Sequence, residues 1–511
     1  MRALLLALVL IVSRSVQCQV NRRLGKLQEV FAWRQLTYDI DGRLLVRDQL
    51  SSDNFVDTTD DRFKREIVFE DDDDDDDVED KPWNKPRPAF PKKQSPQQSW
   101  QNSWMNRPTF TTTETPQQPW QNSWTNNNLF PVNGRPTIPQ PTNNVNNNQS
   151  GSFFIQYNNV PMGVERVGHK LFVTVPRRRY GIPSTLNYIE LSQAANMRSP
   201  PLKPYPNLRE SRTLTSVYRT RADECGRLWM VDTGLLEIPN NLQQVQQPAI
   251  VIYDLRTNRR LHRYPFKSSD IPSSMTPTGL ASITVDITGD CGDAYAYVPD
   301  LVTYGLIVYS LRENDSWRHT HNYYHFNPLA GALNYGGLSF QWNDGIFSLT
   351  LTSQLSNGCR IAYFHPLIST QEFSVSTCVL KNRTSINDTN YWTYYALVGE
   401  RGEGSQSSMH AYHAGSSAMV YADVGRNAVS CWNTGQQLVP SNTAILAQDN
   451  RRLSYPCDVH VTGDEVWVMA NSLPRFMYAT LTADEDNFYV YKANIGDLIA
   501  NTVCANTRLL Y

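Results

Sequence analysis

At 511 residues the chain is long enough for one large domain with appendages. Its net charge is only −2, which argues against a general affinity for nucleic acid. Aromatic residues reach 11%, with 26 Tyr and 12 Trp, as suits a sheet-rich protein.

The chain opens like a secretory signal. Arg2 supplies a positive n-region, Ala3 to Val12 form a short apolar run, and cleavage after Cys18 would place Val16 at the −3 position. No later apolar run approaches the roughly 18 residues of a membrane helix. The expectation is a secreted, soluble mature protein without a membrane partner. Residues 19–54 form an N-terminal segment in which the apolar and aromatic run Phe31 to Tyr38 reads as a strand.

Residues 55–154 change character. Arg62-Phe63-Lys64-Arg65 is a dibasic pattern that a secretory protease would recognise, or an ordinary basic cluster. From Glu70 to Asp80, ten of eleven residues are acidic. A Pro-, Gln-, Asn- and Thr-rich stretch follows, in which Pro96 to Trp104 returns as Pro116 to Trp124. Such a composition buries too little apolar area to offset chain entropy, so the segment reads as a disordered insertion. The Asp run is more simply a solvated spacer than a binding site. The Trp repeat weakly favours association with an extracellular matrix.

From 155 to 511 the pattern is strands and turns. Six apolar segments recur: Leu171 to Val173, Leu228 to Met230, Tyr295 to Tyr297, Ile346 to Ser348, Met419 to Tyr421 and Val466 to Val468. Gly or Asp precedes most of them, and the mean step is about 59 residues. A four-stranded unit of that size buries its faces by stacking on neighbours around an axis. The prediction is therefore an all-β, six-bladed β-propeller, closed by the strand at Phe31 to Tyr38.

Removal of Cys18 leaves seven cysteines, an odd number for an oxidising compartment. Sequence alone does not fix the pairing. The expectation is Cys225 with Cys291, Cys359 with Cys378 and Cys431 with Cys457, leaving Cys504 free or joined to another chain. Sequons at Asn148, Asn314, Asn382 and Asn387 suggest glycosylated loops.

Several longer motifs share a family likeness. Val175 to Tyr188, Leu202 to Pro206, Cys225 to Gly234, Ala294 to Tyr297, Tyr304 to Tyr309, Phe340 to Ile346, Gly404 to Ser408, Asn427 to Trp432 and Trp467 to Asn471 occur in the order found in the yellow / major royal jelly protein family. The chain resembles that family over about 26–42 and 155–511; the segment near 55–154 departs from it. The resemblance implies an insect secreted protein with six blades. It also implies a role among those the family spans: pigmentation and hardening of cuticle or eggshell, nutrition, amine binding and, for some members, dopachrome conversion.

No catalytic constellation stands out. The chain has no phosphate loop, and the sequence around Gly402 to Ser405 is not a nucleophile elbow. His319, His321 and His325 offer the best metal-ligand spacing, but no carboxylate set completes it, and His410 and His413 are weaker; the expectation is no metal and no cofactor. A propeller's ligand site is most naturally the mouth of its central channel. Amine-binding relatives use that pocket, which directs attention to Ser454, Tyr455, Asn471 and Phe476. An Asn amide there would bond an ammonium or a catechol oxygen, and an aromatic face would hold a cation. The leading expectation is a non-enzymatic binder of a small aromatic amine or catechol, or of a matrix component. A dopachrome-type isomerase is the alternative, and a structural or storage glycoprotein is the third reading. Isomerisation needs only one or two placed proton carriers, so the lack of an obvious acid–base pair does not exclude it.

Overall fold

The computed structural model describes residues 23–49, 153–239, 241–272 and 278–505. The Asp run, the Trp repeat, the dibasic pattern and Asn148 lie outside them. Among the described residues, six antiparallel sheets of at least four strands follow one another along the chain. Blade 1 is Gly163–Val167, Lys170–Thr174, Leu186–Glu190 and Lys203–Pro204. Blade 2 is Val217–Ala222, Arg227–Asp232, Ala249–Asp254 and Arg259–Pro265. Blade 3 is Thr284–Ile287, Ala294–Asp300, Gly305–Ser310 and Asp315–Thr320. Blade 4 is Ile346–Leu351, Ile361–Pro366, Gln371–Ser376 and Tyr395–Glu400. Blade 5 is Ser407–His413, Ala418–Asp423, Ala428–Asn433 and Thr443–Gln448. Blade 6 combines Pro456–Thr462, Glu465–Ala470 and Phe488–Asn494 with the N-terminal strands Leu27–Trp33 and Arg23–Leu24.

The first strand of each blade lines the axis. The second and third strands are covered on both faces by neighbouring blades, which is why they read as unbroken apolar runs. Gly305–Ser310 is buried at every position, as are Ala418–Asp423 and Ala428–Asn433.

Closure is as the sequence predicts in kind, with a shift in register. The closing strand is Leu27–Trp33, which pairs Phe31 with Val490, Ala32 with Tyr489 and Trp33 with Phe488. The indole of Trp33 is fully buried, and its Nε1 donates to Pro200 O at 2.9 Å, tying the closing strand to the connection between the third and fourth strands of blade 1. Tyr38 leaves the blade and joins a short hairpin, Tyr38–Ile40 with Arg43–Leu45.

Among the described residues, three disulfides staple the ring. Cys225–Cys291 joins the inner hairpins of blades 2 and 3, and Cys359–Cys378 lies within blade 4. The third corrects the expected pairing: Cys431 bonds Cys504, and Cys457 is a buried free thiol. Cys431 sits on the third strand of blade 5, against the C-terminal segment, where Asn433 Nδ2 also donates to Cys504 O at 3.0 Å. Cys457 sits on the innermost strand of blade 6, in a different layer of the ring. Burial there pushes its thiol well above the ordinary range.

Candidate functional site

The loops that enter the inner strands and those that leave the second strands meet at one end of the axis. There they line a partly open cavity of about 220 Å³. Its wall is largely apolar, with Leu280, Leu301, Trp342, Phe347 and Leu473 contributing from blades 3, 4 and 6. Trp342 is fixed by its Nε1, which donates to Tyr478 Oη at 2.6 Å, and it meets Tyr455 edge-on at 5.7 Å.

Among the polar groups that face this apolar space, four stand out. Asp344 precedes the inner strand of blade 4 and is only 7% exposed. Burial raises its carboxyl to about 7, and the positive charge of Arg178 opposes that rise only in part. Arg178 comes from the loop after the second strand of blade 1, where its Nη2 lies 3.3 Å from Met477 Sδ. Arg219 lies at the floor and is held in place by Ala281 O at 2.9 Å and Cys457 O at 2.5 Å. The Tyr455 hydroxyl is pushed far above its usual range by burial, with the Asp344 charge adding to the effect. Tyr455 adopts φ +52°, with its amide held by Asn427 Oδ1 at 3.1 Å. A carboxyl that titrates near neutrality beside a neutral phenol and a guanidinium can take up and return a proton at physiological pH.

Beneath the floor the axis is charged and closely paired. Asp458 lies 3.7 Å from Arg219, and His460 bridges Asp458 at 3.2 Å and Glu165 at 2.8 Å. Burial alone would lower His460, but Asp458 and then Glu165 more than offset it, and the imidazole titrates at about 9. This cluster gives the cavity a floor.

Of the four residues singled out from sequence, Tyr455 alone lines the cavity. Asn471 is fully buried; its amide donates to Pro161 O at 2.8 Å and its oxygen accepts from Leu473 N at 3.1 Å. Ser454 Oγ lies 2.9 Å from Ser472 Oγ, away from the cavity. Phe476 packs on Tyr157 and under the Arg179 guanidinium. These three build the loops that carry the site. The groups missed by residue-level reasoning are Arg178, Tyr218, Arg219 and Asp344. Arg178 and Asp344 fall inside the family-like motifs Val175 to Tyr188 and Phe340 to Ile346, which was the only signal available for them.

His319, His321 and His325 do not converge. His319 bonds Tyr391 Oη at 3.0 Å and Leu380 O at 2.9 Å, His321 stacks on Tyr395, and His325 packs on Tyr304. Asn314, Asn382 and Asn387 are exposed.

A six-bladed ring with a cavity at one mouth defines the class of protein. The family model for the major royal jelly proteins matches residues 215–504, and the chain belongs to that family. It is 43% identical over 367 residues to the L-dopachrome tautomerase yellow-f of Drosophila melanogaster, covering 70% of this chain and 84% of that protein. It is 39% identical over 360 residues to Protein yellow of Drosophila pseudoobscura pseudoobscura, covering 69% of this chain and 63% of that one. Among solved structures, a luciferin-regenerating enzyme aligns at 10% identity with a TM-score of 0.37, covering 66% of this chain and 91% of that chain.

Proposed function

We propose that this protein is secreted and acts in pigmentation of cuticle or eggshell, with the mouth cavity as its working site. Its substrate there is a dihydroindole quinone of the dopachrome type, and the reaction is isomerisation. Protons leave carbons of the five-membered ring and arrive at the quinone oxygens, so the step is redox-neutral overall and needs no external oxidant. Asp344 is the proton carrier. Its carboxylate takes a ring proton, Arg178 faces the anionic end of the substrate, and the Trp342, Phe347 and Tyr455 rings hold the flat bicycle. The single observation that carries this reading is a carboxyl titrating near 7 within an apolar, aromatic cavity. Identity to a relative named for this reaction supports it.

The test uses purified secreted protein and L-dopachrome, following loss of the coloured substrate against a heat-inactivated control. Saturable acceleration with the isomerised product identified, lost in Asp344→Asn, supports the enzyme. No acceleration, with calorimetry on the same sample showing dopamine binding, returns the protein to the class of binders. Retention in the insoluble cuticle or eggshell fraction would support a matrix partner; full extraction in mild buffer would count against one.

A further inference from the structure

Blades 4 and 5 meet around three side chains that neither the cavity nor the axial cluster uses. His365 lies near the end of Ile361–Pro366, Glu372 near the start of Gln371–Ser376, and His410 midway along the inner strand Ser407–His413. All three are sealed from solvent. His365 Nδ1 lies 3.1 Å from Glu372 Oε2, and His410 Nε2 lies 3.1 Å from Glu372 Oε1.

The remote ring nitrogens are already engaged. His365 Nε2 is 3.1 Å from Ser407 O, and His410 Nδ1 is 2.6 Å from Ser348 Oγ. A carbonyl only accepts, so His365 carries a proton on Nε2. In the neutral ring its Nδ1 lone pair then faces a carboxylate oxygen, and two acceptors at that distance repel. The second contact lacks hydrogen-bond geometry: His410 Nε2 and Glu372 Oε1 are both buried and without a partner of acceptable geometry, although they face each other. Something positive belongs in this gap. Arg401 does not fill it. Its Nη1 donates to Glu372 Oε2 at 2.7 Å and to Gln371 O at 3.0 Å, while Nη2 goes to Ser369 O and Nε to Ser405 O.

We propose that His365, Glu372 and His410 bind a divalent first-row transition-metal ion that cross-links blades 4 and 5. The candidate ligand atoms all lie within 4.8 Å of one another. Two imidazole nitrogens and one carboxylate oxygen suit zinc, whereas calcium and magnesium prefer all-oxygen cages. The outer contacts match what such a centre uses: a carbonyl on one imidazole, a hydroxyl on the other and a guanidinium orienting the carboxylate. A water ligand completes the fourth tetrahedral position. The burial of all three side chains makes the ion structural. This departs from the sequence expectation of no metal, because the three ligands come from three strands and share no motif.

The deciding experiment is metal analysis by mass spectrometry on the full secreted chain, purified without chelator or added metal. The expected result is about one zinc per chain, with a melting temperature that falls on chelator dialysis and recovers with zinc. Exchange with cobalt(II) should give a visible ligand-field band, and His365→Gln and His410→Gln should lose both the metal and the chelator response. Metal well below one ion per chain, with melting indifferent to chelator and to added zinc, overturns the proposal. The gap then holds a proton, as a buried imidazolium–carboxylate pair. Should the variants fail to fold, the measurements on the unmodified protein still decide.

Discussion

Replacing Asp344 with Asn should stabilise the protein while silencing it. Asp344 titrates at about 7 in the folded chain, against an ordinary 3.8. Between those values the folded protein holds a proton that the unfolded chain releases. Stability therefore falls as pH rises from 3.8, and the loss is complete above 7. At about 1.4 kcal/mol per pH unit, the gap corresponds to about 4 kcal/mol. Asn keeps the shape and removes the buried charge. Asp344→Asn should thus exceed the parent by up to about 4 kcal/mol at pH 8 and match it to within about 0.5 kcal/mol below pH 4. Denaturant unfolding with disulfides intact, followed by tryptophan fluorescence at the two pH values, measures the difference. The same variant should lose about 10²- to 10⁴-fold in the rate of dopachrome isomerisation. In the parent, kcat/KM should rise as pH approaches 7 and level off above it, because the base must be ionised. Equal stability at pH 8, or a less stable variant, would refute the claim that burial holds this carboxyl near neutrality.

The Cys431–Cys504 bridge closes a span of 73 residues, so Cys504→Ser should cost about 4 kcal/mol by chain entropy. Native protein should offer no thiol to a labelling reagent, and unfolded protein one; rapid native labelling would mean that Cys457 is not sealed. His460 titrates at about 9 rather than 6.5, so its contribution is full below 6.5 and disappears as pH rises through 9. The stability lost in His460→Gln should accordingly shrink by about 3 kcal/mol between pH 6 and pH 10, and a pH-independent loss would contradict the assigned pairing with Asp458 and Glu165. Asn471→Ala should cost about 2–3 kcal/mol, because it strands Pro161 O and Leu473 N in the interior. Ligand affinity of the folded fraction should change little; a large selective loss of affinity would restore Asn471 as a contact residue.

The ring was legible in the sequence because the second strands of its blades carry buried apolar runs that recur. Five of the six recurring segments are second strands of their blades. The one at Ile346 to Ser348 is instead the inner strand of blade 4, whose second strand is Ile361–Pro366. Inner and second strands are equally apolar at this point, so local pattern could not separate them; only the longer step from Ile346 to Met419 hinted at the slip. The site was less legible for a reason built into the fold. Arg178, Tyr218, Asp344 and Tyr455 come from four different blades, and only ring closure brings them together. Ser454, Asn471 and Phe476 share loops with cavity residues but spend their polar or aromatic faces on those loops. Cys431 illustrates the same limit, since its partner is set by the path of the C-terminal segment.

The division of the axis explains why the Asp344 carboxyl is raised while the Asp458 carboxyl is held in its charged form. Glu165 and Asp458 are as buried as Asp344, yet both sit within reach of His460, and Asp458 also accepts from Val164 N at 2.9 Å. Donors hold Asp458 in its charged form, below the ordinary range. Asp344 lacks such a shell. It faces Leu, Trp and Tyr side chains, and Arg178 offsets only part of the desolvation. A group left in that condition is a stability defect unless its proton is used, because replacing it with an uncharged residue would be simpler than carrying it. The axial cluster supplies what such use requires: a fixed, charge-balanced floor that keeps the cavity from opening through the ring. On this argument the destabilising carboxyl and the stabilising cluster beneath it are two parts of one site, and loss of the cluster, as in His460→Gln, should register in the pH dependence of kcat/KM for the reaction at Asp344.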